Sequence, residues 1–249
     1  MTVDMFADEL QRARLERRAV ATITSRDPEF GLEDAYRVQA EGIHRRLAEG
    51  ERIIGGKLGF TSRAMQQAMG VDHPNYGWLT DAMIINDGKV PLDSLIHPKV
   101  EPEIAFLLAE DLEPPVSTEQ VLAATTGVMA CLEVVDSRFV DFRFAAFDNI
   151  ADNSSAGMLV IGDPHRPERL DLTGVAISEQ GAVRFTAAGA AALDHPAAAV
   201  AWMVNNSDRR LQRGDIVISG GLTPPIDLYP GAVVTAEFDR LGSVTIHAT

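Results

Sequence analysis

Residues 99–106 read KVEPEIAF, and this stretch carries the most information about fold and chemistry. Side chains two residues apart in a β-strand point to the same face, so Glu101 and Glu103 project side by side. Pro102 lacks a backbone N–H, which predicts an edge strand or a bulge. Two interpretations of the glutamate pair stay open, an exposed edge with solvated carboxylates or a cation between them. The opposite face carries apolar side chains that we expect to face a core: Val100, Ile104 and Phe106.

A second predicted strand, CLEVVDSR at residues 131–138, places Glu133 inside an otherwise apolar run. A buried carboxylate is costly unless it is paired or coordinates a metal. With the first two glutamates, Glu133 would complete a set of hard oxygen ligands suited to Mg²⁺ or Mn²⁺. No His or Cys pair has the spacing of a zinc site. The alternative is a structural ion pair between Glu133 and either Arg138 or Lys99.

The chain around these strands is interpreted as one catalytic unit, with a helical N-terminal region (residues 1–50) and a β-rich catalytic core (residues 51–249). Apolar residues at helical spacing predict N-terminal helices over 4–20 and 32–48. Further helices are expected over 118–130 and 196–205.

Local signals refine this picture of the core. TSRAMQQAMG at residues 61–70 predicts a short helix that begins after Thr61 or Ser62 as N-cap and ends at Gly70. The Pro, Asn and Gly cluster in DHPNYGW (72–78) predicts a loop. Several β-like runs separated by turn residues follow, among them AMIIND (82–87) and GMLVIG (157–162). Many strands with few helices predict an α+β fold, a mixed-sheet, barrel-like core with a helical N-terminal region.

Composition excludes several function classes. The net charge of −14 argues against nucleic-acid binding, which requires clustered Lys and Arg. There is no run of eighteen apolar residues and no secretory signal pattern, so we expect neither a membrane span nor export. The single Cys131 rules out an internal disulfide and suits the cytoplasm. An acidic protein that binds an acidic substrate needs a local positive charge, and a bound cation would supply it.

Seven segments carry a family resemblance along nearly the whole chain. In order they are GGKLGFTSRAMQQAMGV, HPNYGWLTDAM, HPKVEPEIAFLL, LEVVDSRF, IADNSSAG, GDIVISGGLT and LGSVTI. Together they resemble the fumarylacetoacetate-hydrolase-like superfamily. Within it they are similar to the branch of 2-oxopent-4-enoate hydratases and 4-oxalocrotonate decarboxylases of aromatic meta-cleavage pathways.

The resemblance implies a fold, a cofactor, partners and site residues. It implies a mixed β-sheet core, a homo-oligomer, Mg²⁺ or Mn²⁺ held by the three glutamates, and a small unsaturated 2-oxo acid as substrate. It places Lys57 in the site with Asp72 opposite, and Lys99 beside the metal ligands as a source of positive charge. Polar contacts near the metal would come from the ADNSS run: Asp152, Asn153, Ser154 and Ser155.

Two chemistries fit this branch. The GGLT segment ending at Thr223, and DSRF followed by DFRF at 141–144, are more similar to the decarboxylases, so decarboxylation of 2-oxohex-3-enedioate is preferred. Lys57 or Arg143 would then hold the distal carboxylate, and Thr223 would contact substrate. The alternative, hydration of 2-hydroxypenta-2,4-dienoate, needs an acid–base pair, for which Lys57 and Asp72 are candidates. A third alternative is a non-catalytic partner that stabilises a cognate hydratase, because the two enzymes of these pathways associate.

Overall fold

The computed structural model describes residues 2–249, which form six α-helices and twelve β-strands. The helices are α1 (Val3–Glu16), α2 (Leu32–Ala48), α3 (Arg63–Met69), α4 (Thr118–Ala123), α5 (Ala146–Ala151) and α6 (Pro196–Asn206). The strands are β1 (Ile53–Gly59), β2 (Asn75–Thr80), β3 (Lys89–Val90), β4 (Lys99–Leu108), β5 (Thr125–Val135), β6 (Ala156–Ile161), β7 (Gly174–Glu179), β8 (Ala182–Ala188), β9 (Ile216–Ile218), β10 (Ile226–Asp227), β11 (Val233–Phe238) and β12 (Gly242–Ala248).

The strands form two sheets. The larger sheet curls into a half-barrel with strand order β2-β1-β9-β4-β5-β6, and β10 also pairs with β4. The smaller sheet has the order β3-β12-β11-β7-β8. The predicted α+β class, with a mixed-sheet, barrel-like core and N-terminal helices, is confirmed.

The core between the two sheets explains why β4 and β5 alternate as they do. Even-numbered residues of both strands face the smaller sheet, where they join one apolar cluster with residues of β7, β11 and β12. Val100, Ile104 and Phe106 are fully buried in this cluster, as the period-two pattern predicts. Odd-numbered residues point to the other face of the larger sheet, and the glutamates are among them.

The N-terminal helices build a second, smaller core. Phe6 and Leu10 of α1 and Val38 of α2 pack with Phe139, which follows β5, and with Ile150 of α5. This packing fixes the segment between β5 and β6, which borders the candidate site. Of the helices within residues 2–249, none is long and apolar enough to cross a membrane.

Several predicted elements match the structure closely. The helix over 32–48 has the predicted bounds, and the helix predicted over 196–205 extends one residue further. α3 begins after Ser62, whose side chain accepts a hydrogen bond from Met65 N, and ends at Gly70 with φ 66°. The first helix ends at Glu16 rather than at residue 20, because Arg17 adopts a left-handed conformation.

Three secondary-structure predictions are wrong. The helix predicted over 118–130 ends at Ala123, because the β-rich run from Thr125 pairs with β4 instead. The loop predicted over 72–78 becomes strand from Asn75, since this segment pairs antiparallel with β1. The strand predicted at 82–87 is a 3₁₀ turn over Asp81–Met83 followed by an isolated bridge.

The prediction of an edge or bulge at Pro102 is also wrong. β4 lies inside the sheet, and Pro102 is in register with Leu132 of β5. On its other side β4 pairs with β10 at Lys99–Val100 and with β9 from Ala105 onward. Pro102 therefore falls in the gap between β9 and β10, where a missing N–H breaks no ladder, and its carbonyl accepts a hydrogen bond from Leu222 N at 3.0 Å.

Candidate metal centre and its cavity

Three carboxylates meet on the face of the larger sheet opposite to the inter-sheet core. Glu101 lies directly across from Glu133 in the strand register, and Glu103 follows two residues along β4. One oxygen atom of each carboxylate lies within 4.8 Å of the others. Glu103 and Glu133 are only 0% and 1% exposed. The structure thus brings the three predicted metal ligands together in a largely dry environment.

The loop after β9 closes against this carboxylate cluster. Gly220 N donates a hydrogen bond to Glu103 Oε2 at 2.7 Å. A Cβ atom at Gly221 would lie 2.2 Å from Glu101 Oε2, so a side chain at this position would displace the carboxylate. Gly220 itself has φ +93°, a conformation that favours glycine. The paired glycines allow the backbone to approach the cluster.

The carboxylate cluster contains more negative charge than the neighbouring protein groups compensate. Burial, followed by the charge of Glu133, raises the pKa of Glu101 to about 7. The same two causes raise the pKa of Glu103 well above its usual value. Among residues 2–249, Glu103 Oε1 and Glu133 Oε2 find no hydrogen-bond partner. Buried carboxylate oxygens without partners suit a hard divalent cation, so these residues fit a Mg²⁺ or Mn²⁺ site.

Lys57 of β1 is the protein cation that reaches the cluster. It is 2% exposed, and its Nζ lies 2.6 Å from Glu133 Oε1. The same Nζ donates a hydrogen bond to the carbonyl oxygen of Ser154 at 2.7 Å. The alternative ion pair of Glu133 with Arg138 or Lys99 is therefore wrong. β5 ends at Val135, so the chain has turned away before Arg138.

A left-handed turn holds the other partner of Lys57. Asn153, Ser154 and Ser155 have φ values of 51°, 52° and 55°, which are unfavourable for residues with a side chain. Side-chain hydrogen bonds keep the turn in place, from Ser154 Oγ to Asn75 Oδ1 at 3.0 Å and from Asn149 Nδ2 to Ser155 Oγ at 3.0 Å. Backbone strain of this kind persists only where the surroundings impose it, and it is common at functional sites.

The cluster borders a cavity of about 740 Å³. Its polar lining includes Lys57, Lys99, Glu101, Arg143, Asn149, Ser154, Ser155 and Thr223. The larger side chains of its hydrophobic wall, called here the apolar lining, are Phe60, Met65, Met69, Phe142, Phe144 and Leu222.

Two of the cations in this lining differ in their partners. Lys99 forms an ion pair with Asp227, and its Nζ lies 5.2 Å from the centre of the Phe142 ring. Arg143 is exposed, and its side chain forms no ion pair or hydrogen bond with any residue from 2 to 249. Arg143 is therefore available to a ligand in the cavity.

The structure does not bring every predicted site residue to the cavity. The Asp72 side chain is 98% exposed and does not line it. Asp152 is buried, accepts hydrogen bonds from the backbone and side chain of Arg138, and also lies outside the lining. The side-chain amide of Asn153 bonds the backbone N–H and carbonyl of Trp78 at 2.8 and 2.9 Å. Asp152 and Asn153 thus shape the turn, whereas Ser154 and Ser155 border the cavity.

Two features of the site were not predicted. Asn149, which supports the left-handed turn and lines the cavity, lies in α5 without any sequence motif that marks it. The wall formed by α3 was also missed, although its apolar residues recur at helical spacing (Ala64, Met65, Ala68 and Met69) and this signal was available in the sequence.

Comparison with known proteins gives a family for this fold and site. The model of the fumarylacetoacetate (FAA) hydrolase C-terminal family matches residues 56–247. The chain belongs to this family. The match spans both sheets and includes Lys57 and the three glutamates, which confirms the resemblance noted in the sequence.

Relatives within the family include both reaction types. The chain is 44% identical over 209 residues to a 2-hydroxypent-2,4-dienoate hydratase from Pseudomonas putida, covering 82% of this chain and 94% of the relative. It is 36% identical over 248 residues to a 4-oxalocrotonate decarboxylase from Pseudomonas sp. strain CF600, covering 96% and 94%. The protein is thus an enzyme of the hydratase and decarboxylase group.

A solved structure matches almost every residue. The 4-oxalocrotonate decarboxylase from Pseudomonas putida G7, complexed with magnesium and adipate, superimposes with a TM-score of 0.95 at 34% identity. The alignment covers 99% of this chain and 97% of the other.

Proposed function

We propose that this protein is a metal-dependent lyase that decarboxylates 2-oxohex-3-enedioate to 2-hydroxypenta-2,4-dienoate and CO₂. The observation that carries the proposal is that one cavity contains both a carboxylate cluster that can hold a metal and a separate, unpaired cationic side chain. Glu101 belongs to the carboxylate cluster, which would hold Mg²⁺ or Mn²⁺, and Arg143 is a cation without a protein partner. A dicarboxylate with a keto group next to one carboxylate matches both. The magnesium and adipate complex of the 34% identical decarboxylase supports a metal and a diacid in such a site.

The metal has one chemical role in this proposal. When bound by Glu101, Glu103 and Glu133, a divalent cation supplies Lewis-acid stabilisation of the negative charge that develops on the keto oxygen, worth several kcal/mol.

The reaction itself needs little from the protein beyond binding and orientation. The bond between C5 and the distal carboxylate breaks, and its electron pair moves through the C=C bond to the keto oxygen as CO₂ leaves. A proton from solvent completes the enol. Arg143 and Lys99 attract and orient the dianionic substrate, while Lys57 holds Glu133 and the turn at Ser154 in place. The apolar wall excludes water around the carbon chain and favours release of an uncharged product, CO₂.

The hydratase is the second candidate, because the relative at 44% identity is a 2-hydroxypent-2,4-dienoate hydratase. Addition of water needs a general acid and a general base. Apart from Glu101, which belongs to the carboxylate cluster, the ionisable residues that line the cavity are all cations (Lys57, Lys99 and Arg143), and Lys57 is engaged by Glu133. This inventory favours decarboxylation. The roles of Lys57, Lys99 and Asp72 in catalysis, a homo-oligomer and a complex with the cognate hydratase remain predictions.

Two substrates and a chelator test the proposal. The purified protein is incubated with 2-oxohex-3-enedioate or 2-hydroxypenta-2,4-dienoate in the presence of Mg²⁺ or EDTA, and CO₂ and ultraviolet absorbance are followed. We expect Mg²⁺-dependent CO₂ release from the first compound. Loss of absorbance from the second compound without CO₂ would identify the hydratase, and no turnover of either would identify the non-catalytic partner.

Arg143→Met tests the role of the free cation. Exposed ion pairs contribute about 0.2–1 kcal/mol, so we expect KM for 2-oxohex-3-enedioate to rise by about 1.4-fold to fivefold. Arg166→Met is the matched control, since Arg166 is exposed and lies outside the cavity lining. Equal KM values for both variants would remove Arg143 from the binding site.

A further inference from the structure

α3 presents an apolar face to the cavity instead of to a core. Ala64, Met65, Ala68 and Met69 recur at helical spacing, so they share one side of the helix, and all four line the cavity. None of the seven residues of α3 is buried. Amphipathic helices ordinarily cover such a face with protein.

The helix is nevertheless well defined by its ends. Ser62 Oγ caps its N-terminus by accepting a hydrogen bond from Met65 N at 3.2 Å, and Gly70 ends it. Arg63 forms an ion pair with Asp194 at 2.9 Å. The exposed apolar face is therefore part of a formed element, and its position makes it a wall of the catalytic cavity.

The cavity is also large for the substrate proposed above. A volume of about 740 Å³ lies in the range of cavities that enclose drug-sized molecules, about 300–1,000 Å³. A six-carbon diacid fills only a small part of it. The charged groups that would bind that diacid do not account for the apolar lining, in which two flexible methionines can adapt to different shapes.

We propose that the apolar lining, together with Ala64 and Ala68, binds a hydrocarbon substituent, so that the preferred substrates carry a propyl or longer alkyl group distant from the oxo acid, in addition to the distal carboxylate. The inference rests on the proposed function for the position of the oxo acid end at the carboxylate cluster. The apolar lining and Glu101 belong to the same cavity, so a group bound by the apolar lining would be part of the same substrate molecule whose oxo acid end lies at the carboxylate cluster.

Unreactive ligands test the inference without any turnover. Calorimetric titration of the Mg²⁺-saturated protein with 2-oxobutanoate, 2-oxohexanoate and 2-oxooctanoate gives Kd as a function of chain length. Each buried methylene group contributes about 0.8 kcal/mol, so we expect Kd to fall about fourfold per added CH₂. Equal Kd values for the three acids would overturn the proposal.

A matched pair of variants tests where the alkyl chain of the ligand binds. Ala68→Asp adds a charge on the cavity side of α3, and Gln67→Asp adds the same charge on an exposed residue of the same helix outside the lining. We expect the gain per methylene to fall below about twofold in the first variant and to stay unchanged in the second. If the change in Kd per methylene group is the same in both variants, the alkyl chain binds elsewhere and its assignment to the apolar lining is overturned.

The titrations and the turnover assay test the two proposals independently. A chain-length dependence in a protein that releases no CO₂ would overturn the decarboxylase and leave the alkyl-binding role of the apolar lining standing. CO₂ release together with Kd values that do not depend on chain length would support the decarboxylase and overturn the proposed binding of an alkyl group.

Discussion

The molecule contains two pairs of a cation and a carboxylate that are similarly buried but differ in their surroundings. In the Arg138–Asp152 pair the side chains are 7% and 1% exposed, and in the Lys57–Glu133 pair 3% and 1%. Arg138 donates to Asp152 and to the carbonyl oxygens of Asp136 and Ala156. Asp152 also accepts a hydrogen bond from Arg138 N at 2.9 Å, so this pair is fully satisfied by protein groups.

The second pair is left incomplete by the protein. Lys57 donates to Ser154 O, but Glu133 Oε2 has no hydrogen-bond partner among residues 2–249, and two further carboxylates lie beside it. Buried charges without compensation are costly, so a fold that keeps them gains something other than stability. The comparison assigns the first pair to structure and the second to cation binding and catalysis.

The largest expected effect is on the activity of Glu103→Gln. Gln keeps the size of the side chain and an acceptor for Gly220 N, but it removes one anionic metal ligand. Loss of Lewis-acid assistance worth several kcal/mol predicts a fall in CO₂ release of at least about a thousandfold. The rate of CO₂ release at saturating Mg²⁺ is the measurement.

Two controls separate chemistry from folding in this variant. Glu110→Gln changes an exposed glutamate just beyond the end of β4, and its rate should equal that of the parent. The metal-free Glu103→Gln protein should unfold within about 1 kcal/mol of the metal-free parent, since Gln resembles the protonated carboxyl. A near-normal rate at saturating Mg²⁺ would remove Glu103 from the metal site.

Arg138→Met should have the opposite profile, with a large loss of stability. Removing one partner of a buried ion pair leaves an uncompensated charge on Asp152 and costs about 3–5 kcal/mol. Urea unfolding of the metal-free proteins measures this loss. Arg166→Met, on the surface, should change the free energy of unfolding by about 0.5 kcal/mol or less. A loss below about 1 kcal/mol for Arg138→Met would remove the distinction between the two pairs.

The sequence predicts the carboxylate cluster well because strand geometry dictates it. Alternation in KVEPEIAF places Glu101 and Glu103 on one face, and an apolar run around Glu133 requires a compensating partner for that residue. The register that puts Glu133 across from Glu101 was not needed for this prediction. The fold class likewise followed from the distribution of strands and helices.

Long-range contacts explain the errors. Nothing local to Arg138 shows that its partner is Asp152 rather than Glu133, since the chain must first turn through α5. Asp152 and Asn153 were grouped with Ser154 and Ser155 because all four are polar and adjacent, although the left-handed turn sends them to different environments. Pro102 looked like an edge residue because a gap between β9 and β10 is a property of the assembled sheet.

The smallest expected effect, and the one that tests the comparison most directly, is the pH dependence of stabilisation by Mg²⁺. In the metal-free folded protein the pKa of Glu101 is raised to about 7 by burial and by Glu133, whereas its usual value is 4.5. Between these values the folded protein holds a proton that the unfolded chain has released. The metal-free protein therefore loses stability as the pH rises through this window.

Bound magnesium removes this trend, because below pH 7 it must displace that proton to bind, and the folded and unfolded states then hold the same number of protons on Glu101. The apparent affinity for Mg²⁺ should fall about tenfold for each unit by which the pH is lowered, for every proton displaced. This change corresponds to about 1.4 kcal/mol of binding free energy. Thermal unfolding with and without Mg²⁺ from pH 5.5 to 8.5 should show the smallest difference in Tm at pH 5.5 and a plateau above about pH 8. The Arg138–Asp152 pair lies outside the candidate metal site, so Arg138→Met should lower both curves without changing the pH at which they separate. A metal-induced difference in Tm that is the same at every pH would mean that proton and metal do not compete for these carboxylates, and the contrast between the two pairs would then have no electrostatic basis.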